Sequence, residues 1–490
     1  MPRLPVALLV AMAAMLATHC GGAAAVDPGA APSQDPAPAP GVRLNGYRAH
    51  FVIAWNGARI GDADERITAH GDGRTRFERR ERITVRRGQA LAHSETDIAI
   101  DTGPDLRAHR VDVRQIASGL LRRGSAHRNR HGDWVVHFAD ESERRIPGDA
   151  VPAELVPLLI ATADPDRAGV RFDGPVLLPG YGFAVAHLRV EAEGPRTLLA
   201  QLSTADGVLQ SRLLLTRGGA VARVQTEGGI GARRVDEASA RAPFTPPEIV
   251  DAASIAVAGA ESPGAVVDAL VLAGVPPQRA RPPRLPGQQV ERRGDTWEIT
   301  LRRGDTCAPI ATDPAPAPVP TNADPRLATL AARVAADVGP GSARDQAFAL
   351  VRATADYLED DLGTPEGGAR DALLLGRGDC TAHAQLFVAL AEQRGIATRL
   401  VTGYRVDDRR LIRHRWALVA VDGRWIAVDP TYGEAPAAPR LLGLAVHGPR
   451  ASELALADEI AFAGLAQLSA RRAAAPLSDP QCGPSRPRTP

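Results

Sequence analysis

The stretch from Arg377 to Tyr432, around which the rest of the chain is organised, contains three short patches of sequence. They are Arg377-Gly378-Asp379-Cys380-Thr381-Ala382-His383, His414-Arg415-Trp416 and Asp429-Pro430-Thr431-Tyr432. In this order they supply a thiol, an imidazole and a carboxylate. That combination predicts nucleophilic catalysis by a cysteine, in which the imidazole takes the thiol proton and the carboxylate orients the imidazole.

Local patterns place these three side chains on defined elements. Cys380 stands at the start of a helix predicted over 381–394, where backbone N–H groups and aligned peptide dipoles favour a thiolate and can bind an oxyanion. His414 opens a predicted strand, and Asp429 closes the next strand after the hairpin turn Asp422-Gly423. The hairpin brings the two strand ends together, so the carboxylate is expected to reach the imidazole.

These patches and their surroundings resemble the transglutaminase-like cysteine enzymes, a branch of the papain-like fold, of a bacterial exported type. The resemblance covers about 324–449, and its motifs are Gly378-Asp379-Cys380-Thr381-x-His383-Ala384, Arg394-Gly395-Ile396-Ala397-Thr398-Arg399, Gly403-Tyr404, His414-x-Trp416 and Trp425-x-x-x-Asp429-Pro430-Thr431. It implies that Cys380 is the nucleophile, His414 the base and Asp429 the orienting acid. It also implies attack on a carboxamide or peptide carbonyl through a thioester, with no metal and no cofactor.

Four further residues are expected to support the catalytic groups or to contact the substrate: Asp379, His383, Trp416 and Thr431. His383 lies one helical turn after Cys380, within reach of the thiol. A base needs a partner carboxylate, and His414 has one. The pattern therefore favours a packing role for His383.

Composition excludes some partners and limits the reaction. The formal net charge of the 490-residue chain is +1, so no overall field draws it to nucleic acid or to a membrane surface. All basic residues are arginine, which makes the chain a poor amine donor for cross-linking. A peptide or protein substrate is expected, and hydrolysis is favoured over cross-linking because water is abundant and nothing indicates an amine site.

Residues 1–25 have the pattern of an export signal, with Arg3, an apolar run and then small residues. Two processing routes are open. Ala23-Ala24-Ala25 offers small residues to a general signal peptidase, whereas Cys20 resembles the acylated cysteine of a bacterial lipoprotein. Both predict a periplasmic or cell-envelope location, and the second adds a lipid anchor as the one membrane contact.

Changes of composition and periodicity divide the α+β chain into seven parts. They are a signal peptide (1–25), a disordered linker (26–43), a curved sheet or half-barrel of antiparallel strands (44–240), a small β module (241–307), a Pro-rich linker (308–323), the transglutaminase-like α+β domain (324–472) and an irregular tail (473–490).

Local signals predict some elements of these parts individually. In the sheet domain the turn Asn56-Gly57 predicts a hairpin, alternation predicts a strand over Trp134–Phe138, and one helix is expected over 150–163. In the transglutaminase-like domain Ser342 is expected to cap a helix.

Two kinds of function fit these observations. The first is an exported thiol enzyme that hydrolyses or transfers acyl groups at amide bonds. The second is an envelope module that binds a partner without catalysis. The full set of Cys380, His414 and Asp429 favours the enzyme, because a binding scaffold needs none of the three.

The other cysteines generate a prediction about disulfide bonding. Cys307 and Cys482 stand at the two ends of the last domain and can pair in an oxidising compartment, and the alternative is three free thiols. We expect non-reducing peptide mapping of the exported protein to yield one peptide pair linked through Cys307 and Cys482. Recovery of both residues in alkylated form, without prior reduction, contradicts the pairing.

Overall fold

The computed structural model describes residues 46–473 apart from 71, 118–119, 139–142, 163–168, 205–206, 251–252, 259–268, 276–281, 303–306, 310–323, 339–340, 364–367, 408–409, 438–439, 449–453 and 463–468. It divides into two compact units. The first contains the described residues up to 249 and 455–462, and the second contains those of 250–454 and 469–473.

Several predicted segments lie outside the described residues. They are the signal peptide with Cys20, the linker 26–43 and the tail beyond 473 with Cys482. The backbone of Cys307 is described but its side chain is not, so the predicted disulfide stays a prediction. Of the predicted linker 308–323, residues 308 and 309 belong to a strand and the rest is outside.

The first strand pair is built on the turn Asn56-Gly57, which the sequence identifies as a hairpin signal. Asn56 and Gly57 have φ values of 46° and 83°, as a tight turn with two left-handed residues requires. The turn joins β1 (Arg48–Trp55) to β2 (Ala58–Ala69), which pair antiparallel from Arg48↔Arg66 to Trp55↔Ala58. The predicted hairpin is confirmed.

The first unit is one sheet of fifteen strands, in which almost every strand pairs antiparallel with its neighbour in sequence. After β1 and β2 the strands are β3 Thr75–Arg87, β4 Ala90–Thr102, β5 Ala108–Ala117, β6 Leu120–Arg128, β7 Trp134–Phe138, β8 Glu143–Ile146, β9 Val151–Pro152, β10 Val170–Leu178, β11 Ala184–Gly194, β12 Thr197–Thr204, β13 Gly207–Leu215, β14 Val221–Thr226 and β15 Ile230–Val235. Strand β1 pairs with β15, which joins the two halves, and β9 pairs parallel with β10 at one edge. The predicted antiparallel β-rich domain is confirmed.

The predicted helix over 150–163 is shorter in the structure. Val151 and Pro152 form β9, residues 153–155 form a 3-10 turn, and helix α1 spans Val156–Thr162. Pro157 explains the late start, because proline has no N–H to donate and is tolerated only in the first turn of a helix.

Charged side chains are buried together on the core face of the first unit. Arg79 donates to Glu65 at 2.5 Å and to Glu81 at 2.9 Å, and Tyr47 donates to Glu65 at 3.1 Å. Glu154 is 2% exposed, and neither of its carboxyl oxygens has a hydrogen-bond partner among the described residues. Burial, with Glu65 and Glu81 nearby, raises the pKa of Glu154 to about 7.

The second unit is built on a ten-stranded sheet. Its strands are β16 Ile255–Ala258, β17 Ala269–Val275, β18 Gln288–Arg293, β19 Thr296–Arg302, β20 Cys307–Pro309, β23 Thr398–Asp407, β24 Arg410–Val421, β25 Arg424–Val428, β26 Leu441–His447 and β27 Ser469–Ala473. Two further short strands, β21 Glu359–Asp360 and β22 Arg377–Gly378, form a separate parallel pair.

The remaining helices are α2 Glu237–Arg241, α3 Pro325–Val338, α4 Ala343–Tyr357, α5 Ala369–Leu375, α6 Cys380–Glu392 and α7 Leu454–Phe462. The predicted cap of α4 is confirmed, since Ser342 accepts from the Asp345 N–H and Asp345 accepts in return from the Ser342 N–H. Helices α2 and α7 belong to the first unit. None of the described helices is long and apolar enough to cross a membrane.

The segment predicted as a separate β module, 241–307, contributes strands to the sheet of the second unit. Strand β16 pairs with β24 through Ile255↔Leu411, and β20 pairs with β25 through Cys307↔Ile426. These pairings join residues more than a hundred positions apart, and the periodicity of one strand does not encode so distant a partner. The two units therefore divide at 249/250, whereas the sequence predicts boundaries at 240/241 and near 308–323.

Helices α3, α4 and α6 bury their apolar sides on one face of this sheet. The shared core includes Leu330, Leu350 and Leu386 from the helices with Leu400 and Val419 from β23 and β24. Leu386, Leu400 and Val419 are fully buried. This packing fixes α6, and with it Cys380, on the sheet that carries His414.

The buried carboxyl of Glu154 generates a prediction about stability and pH. The folded state holds this proton more tightly than the unfolded chain, whose pKa is near the ordinary 4.5. The stabilisation of the folded state by the protonated Glu154 carboxyl is fully present below pH 4.5. It is lost as the pH rises through about 7, which lowers the free energy of unfolding by on the order of 3 kcal/mol. We expect Glu154→Gln to weaken the loss of stability between pH 5 and pH 8 in urea denaturation of the full chain.

The matched control is Glu237→Gln, because the Glu237 side chain is 69% exposed in the same unit. It should leave the difference between the two pH values unchanged. Equal pH dependence in the wild type and in Glu154→Gln contradicts the assignment to Glu154.

Candidate active site

Helix α6 begins at Cys380 and is capped by Asp379. The Asp379 side chain accepts from the N–H groups of Thr381 at 3.0 Å and Ala382 at 3.3 Å, which satisfies two amides of the first turn. Cys380 is 7% exposed and forms no disulfide in the described part of the chain. The cap thus holds the thiol at the positive end of the helix dipole.

Gly378 is required by the close approach of the chain to α6. A Cβ atom at this position would lie 2.3 Å from the Cβ of Ala382. Gly378 also belongs to β22, where it pairs with Asp360 on β21. The glycine before the Asp379-Cys380 pair therefore allows the chain to turn directly into the helix.

His414 and Asp429 form a buried hydrogen-bonded pair. His414 lies within β24 opposite Gly403 on β23, and Asp429 follows the last residue of β25. The His414 Nε2 and Asp429 Oδ2 atoms are 2.9 Å apart, and the two residues are 7% and 0% exposed. Because a carboxylate accepts, Nε2 carries the donated proton and Nδ1 is the nitrogen able to take another.

The charge of Asp429 is stabilised by three groups. His414 and Arg405 both reach Oδ2, Arg405 at 2.6 Å, and the Thr431 N–H reaches Oδ1 at 3.2 Å. Burial alone would raise the pKa of Asp429. The charge and hydrogen bond of His414, the charge of Arg405 and the Thr431 hydrogen bond outweigh burial and hold the pKa of Asp429 below its ordinary value.

Arg405 joins this pair to the loop after β25. Its Nη2 donates to Glu434 at 3.0 Å, and its guanidinium carbon lies 3.7 Å from the ring centroid of Tyr432. The Glu434 N–H donates to the Asp429 carbonyl at 3.0 Å, and the Asp429 N–H donates to the Glu434 carbonyl at 2.9 Å. These backbone and side-chain hydrogen bonds hold the loop after β25 against Asp429.

Two aromatic rings lie beside the His414 imidazole. Trp416 is 1% exposed and stacks at 6.2 Å between ring centroids with an interplanar angle of 17°. Tyr432 lies at 5.8 Å with a 53° tilt and is 56% exposed. Desolvation, with Asp429, Asp360 and Cys380 among its charged neighbours, raises the pKa of the Tyr432 hydroxyl although Arg405 opposes the shift.

The remaining predicted residues occupy defined places near these groups. His383 is 1% exposed, and its Nδ1 donates to the Asp379 carbonyl at 2.9 Å within α6. Arg415 on β24 donates to the Thr381 hydroxyl at 3.2 Å, which links the His414 strand to the residue after Cys380. The structure therefore gathers the residues of all three sequence patches in one region.

Three participants were not identified from the sequence as site residues: Arg405, Glu434 and Tyr432. The sequence does contain a signal that could have identified Arg405. This arginine stands within Val401–Val406 of β23, where the other side chains are apolar or small. An arginine there needs a buried acidic partner.

Among the residues that the structure describes, no group of three or more histidine, cysteine, aspartate or glutamate side chains is arranged to hold a metal ion.

Comparison with known proteins identifies the family of this region. The model of the transglutaminase-like superfamily matches residues 328–430. Over these residues the chain is similar to that superfamily. The matched range includes α4, α6 and β23 to β25, and it contains Cys380, His414 and Asp429. No curated protein matches the chain.

Three solved structures are similar to portions of the chain at low sequence identity. A β-barrel-like protein of a domain of unknown function from Brucella abortus is 13% identical and has a TM-score of 0.30, with 38% of this chain and 93% of that chain covered. A "putative cysteine protease" from Cytophaga hutchinsonii is 15% identical with a TM-score of 0.26, covering 42% and 81%. A "putative protease" from Parabacteroides distasonis is 13% identical with a TM-score of 0.17, covering 74% and 65%.

The tight approach at Gly378 generates a prediction about stability. We expect Gly378→Ala to destabilise the transglutaminase-like domain by about 1–3 kcal/mol, because the new methyl group collides with Ala382 and displaces the start of α6. Urea denaturation measures the change.

Gly448→Ala is the control for this substitution. Gly448 is exposed, and nothing lies within 4 Å of a Cβ at its position. Its replacement should leave the midpoint nearly unchanged. A Gly378→Ala variant as stable as Gly448→Ala would show that residue 378 does not need to be glycine.

Proposed function

We propose that the protein is an exported thiol enzyme that attacks amide or peptide carbonyls with Cys380, His414 and Asp429. The substrate is a peptide or a protein, and hydrolysis is favoured over cross-linking. Export rests on the signal pattern of residues 1–25, and Cys20 is the acylated residue if the chain is processed as a lipoprotein.

The hydrogen bond between His414 Nε2 and Asp429 Oδ2 carries the proposal. A buried carboxylate that fixes an imidazole tautomer is the arrangement a general base requires, and it leaves Nδ1 for the thiol proton. A purely structural domain gains nothing from burying this charge, since burial of a carboxylate costs several kcal/mol before its partners offset it. The family of residues 328–430 supports the same assignment.

In the first step the Cys380 sulfur attacks the carbonyl carbon of the substrate. Before this attack His414 has taken the thiol proton at Nδ1, and Asp429 stabilises the resulting imidazolium. The C–N bond then breaks, His414 returns the proton to the leaving amine, and the acyl group remains on sulfur as a thioester. The amides of Thr381 and Ala382 serve the Asp379 cap, so we assign the backbone contribution to the oxyanion site to the Cys380 N–H.

In the second step water attacks the thioester. His414 removes a proton from the water, the C–S bond breaks, and the thiolate takes back the proton as the carboxylic acid leaves. An amine in place of water would give a new amide. The all-arginine composition offers no lysine of this chain for that role.

The proposal predicts an unusually reactive Cys380. We expect iodoacetamide at about pH 5.5 to alkylate Cys380 on the order of 10-fold to 100-fold faster than a small free thiol, because the thiol is already ionised beside the imidazolium. Peptide mass spectrometry follows Cys380 separately from the other cysteines. His414→Ala should bring the rate down to that of the free thiol.

The matched control is His187→Ala, which removes a histidine that is 55% exposed on the first unit. It should leave the Cys380 rate unchanged. A wild-type rate no higher than that of the free thiol would refute the enzyme and leave partner binding without catalysis as the better account.

A further inference from the structure

We infer that Arg405 is a positioning residue of this site, which fixes the Asp429 carboxylate that orients His414. The inference rests on the proposed function, because it concerns the same imidazole and carboxylate. It adds a second cation to the site that the cysteine, histidine and aspartate motifs do not include.

Arg405 and His414 both bond to the same oxygen atom, Oδ2 of Asp429. Arg405 Nη1 lies 2.6 Å from Asp429 Oδ2, and His414 Nε2 lies 2.9 Å from the same atom. The two nitrogens are therefore no farther apart than the sum of these distances. Arg405 is 8% exposed and Asp429 is 0% exposed, so little water screens the charges.

Arg405 is itself held on two sides. Glu434 accepts from both of its terminal nitrogens, at 3.0 and 3.4 Å, and the Tyr432 ring covers the guanidinium group. A planar fork is suited to bridging two carboxylates, which an ammonium group does less well. Asp429 is thus anchored by an element, β23, that does not carry the imidazole.

The shared oxygen has an electrostatic consequence. A carboxylate that also neutralises a guanidinium stabilises an imidazolium less than a carboxylate with one partner. The guanidinium in addition repels the imidazolium directly at short range. Removal of the guanidinium should therefore strengthen the attraction between Asp429 and a positively charged imidazole.

Other charged or titratable groups lie on the elements that form the site, and Glu434 is the one of them that the comparison also varies. They are Glu434 and Tyr432 from the loop after β25, Cys380 and His383 from α6, and Asp360 from β21. Glu434 has the opposite effect to Arg405, because it neutralises part of the guanidinium charge.

The test uses two alkylating reagents on the full-length protein. Iodoacetate is an anion and is drawn to a positive site, whereas iodoacetamide is neutral. The ratio of their rates with Cys380 falls as the imidazolium loses its proton. The pH at the midpoint of this fall therefore reports the loss of positive charge from the site, without requiring a known substrate.

We expect Arg405→Gln to move this midpoint up by about one pH unit. Arg405→Lys keeps the charge and should stay within a few tenths of a unit of the wild type. Glu434→Gln, which keeps the shape of the carboxylate, should move the midpoint down.

A common midpoint in the wild type, Arg405→Gln and Glu434→Gln would overturn the role of Arg405. That result is distinct from failure of the proposed function, which appears as slow alkylation of Cys380 in the wild type itself. If Arg405→Gln does not fold, the downward shift in Glu434→Gln still decides, and its absence counts against the inference.

Discussion

The second unit depends on one buried charge, the carboxylate of Asp429. Removing a carboxylate from water costs several kcal/mol, and this cost is offset only when the charge meets well-placed partners. Here the partners are His414 on β24, Arg405 on β23 and the Thr431 N–H beyond β25. Each comes from a different segment, so the charge is tolerated only when these segments are assembled in one arrangement. Formation of the site therefore requires correct assembly of the sheet.

The register of the sheet is the second condition. Neighbouring strands are paired as Gly403↔His414 and Ala417↔Val428, and a slip of one residue would turn every side chain to the opposite face. Gly403 helps to fix this register, because a Cβ there would lie 2.0 Å from the Leu442 carbonyl oxygen on β26. On the helical side, Gly378 and the Asp379 cap fix where α6 begins. The thiol and the imidazole are thus positioned by backbone features of two separate elements.

The first unit also buries charged side chains, but one of its buried carboxyl groups has no hydrogen-bond partner among the described residues. Arg79 serves both Glu65 and Glu81, while Glu154 has no hydrogen-bond partner among the described residues and has a raised pKa. A carboxyl in such surroundings is tolerated because it keeps its proton. The protein therefore accommodates buried acids in two ways: by pairing, as at Asp429, Glu65 and Glu81, and by protonation, as at Glu154.

The sequence by itself determined the elements with strong local signals. The Asn56-Gly57 hairpin, the strand Trp134–Phe138, the Ser342 cap and the helix opening at Cys380 follow from turn chemistry, alternation and capping, which act over a few residues. The motifs around Cys380, His414 and Asp429 indicated the family for the same reason. The tertiary structure was needed to show that 241–307 adds strands to the sheet of the second unit. It was also needed to show that Arg405 bonds to both Asp429 and Glu434 at the site. Those contacts join residues far apart in the chain or across strands, and their energy comes from burial and charge pairing that exist only after the chain has folded.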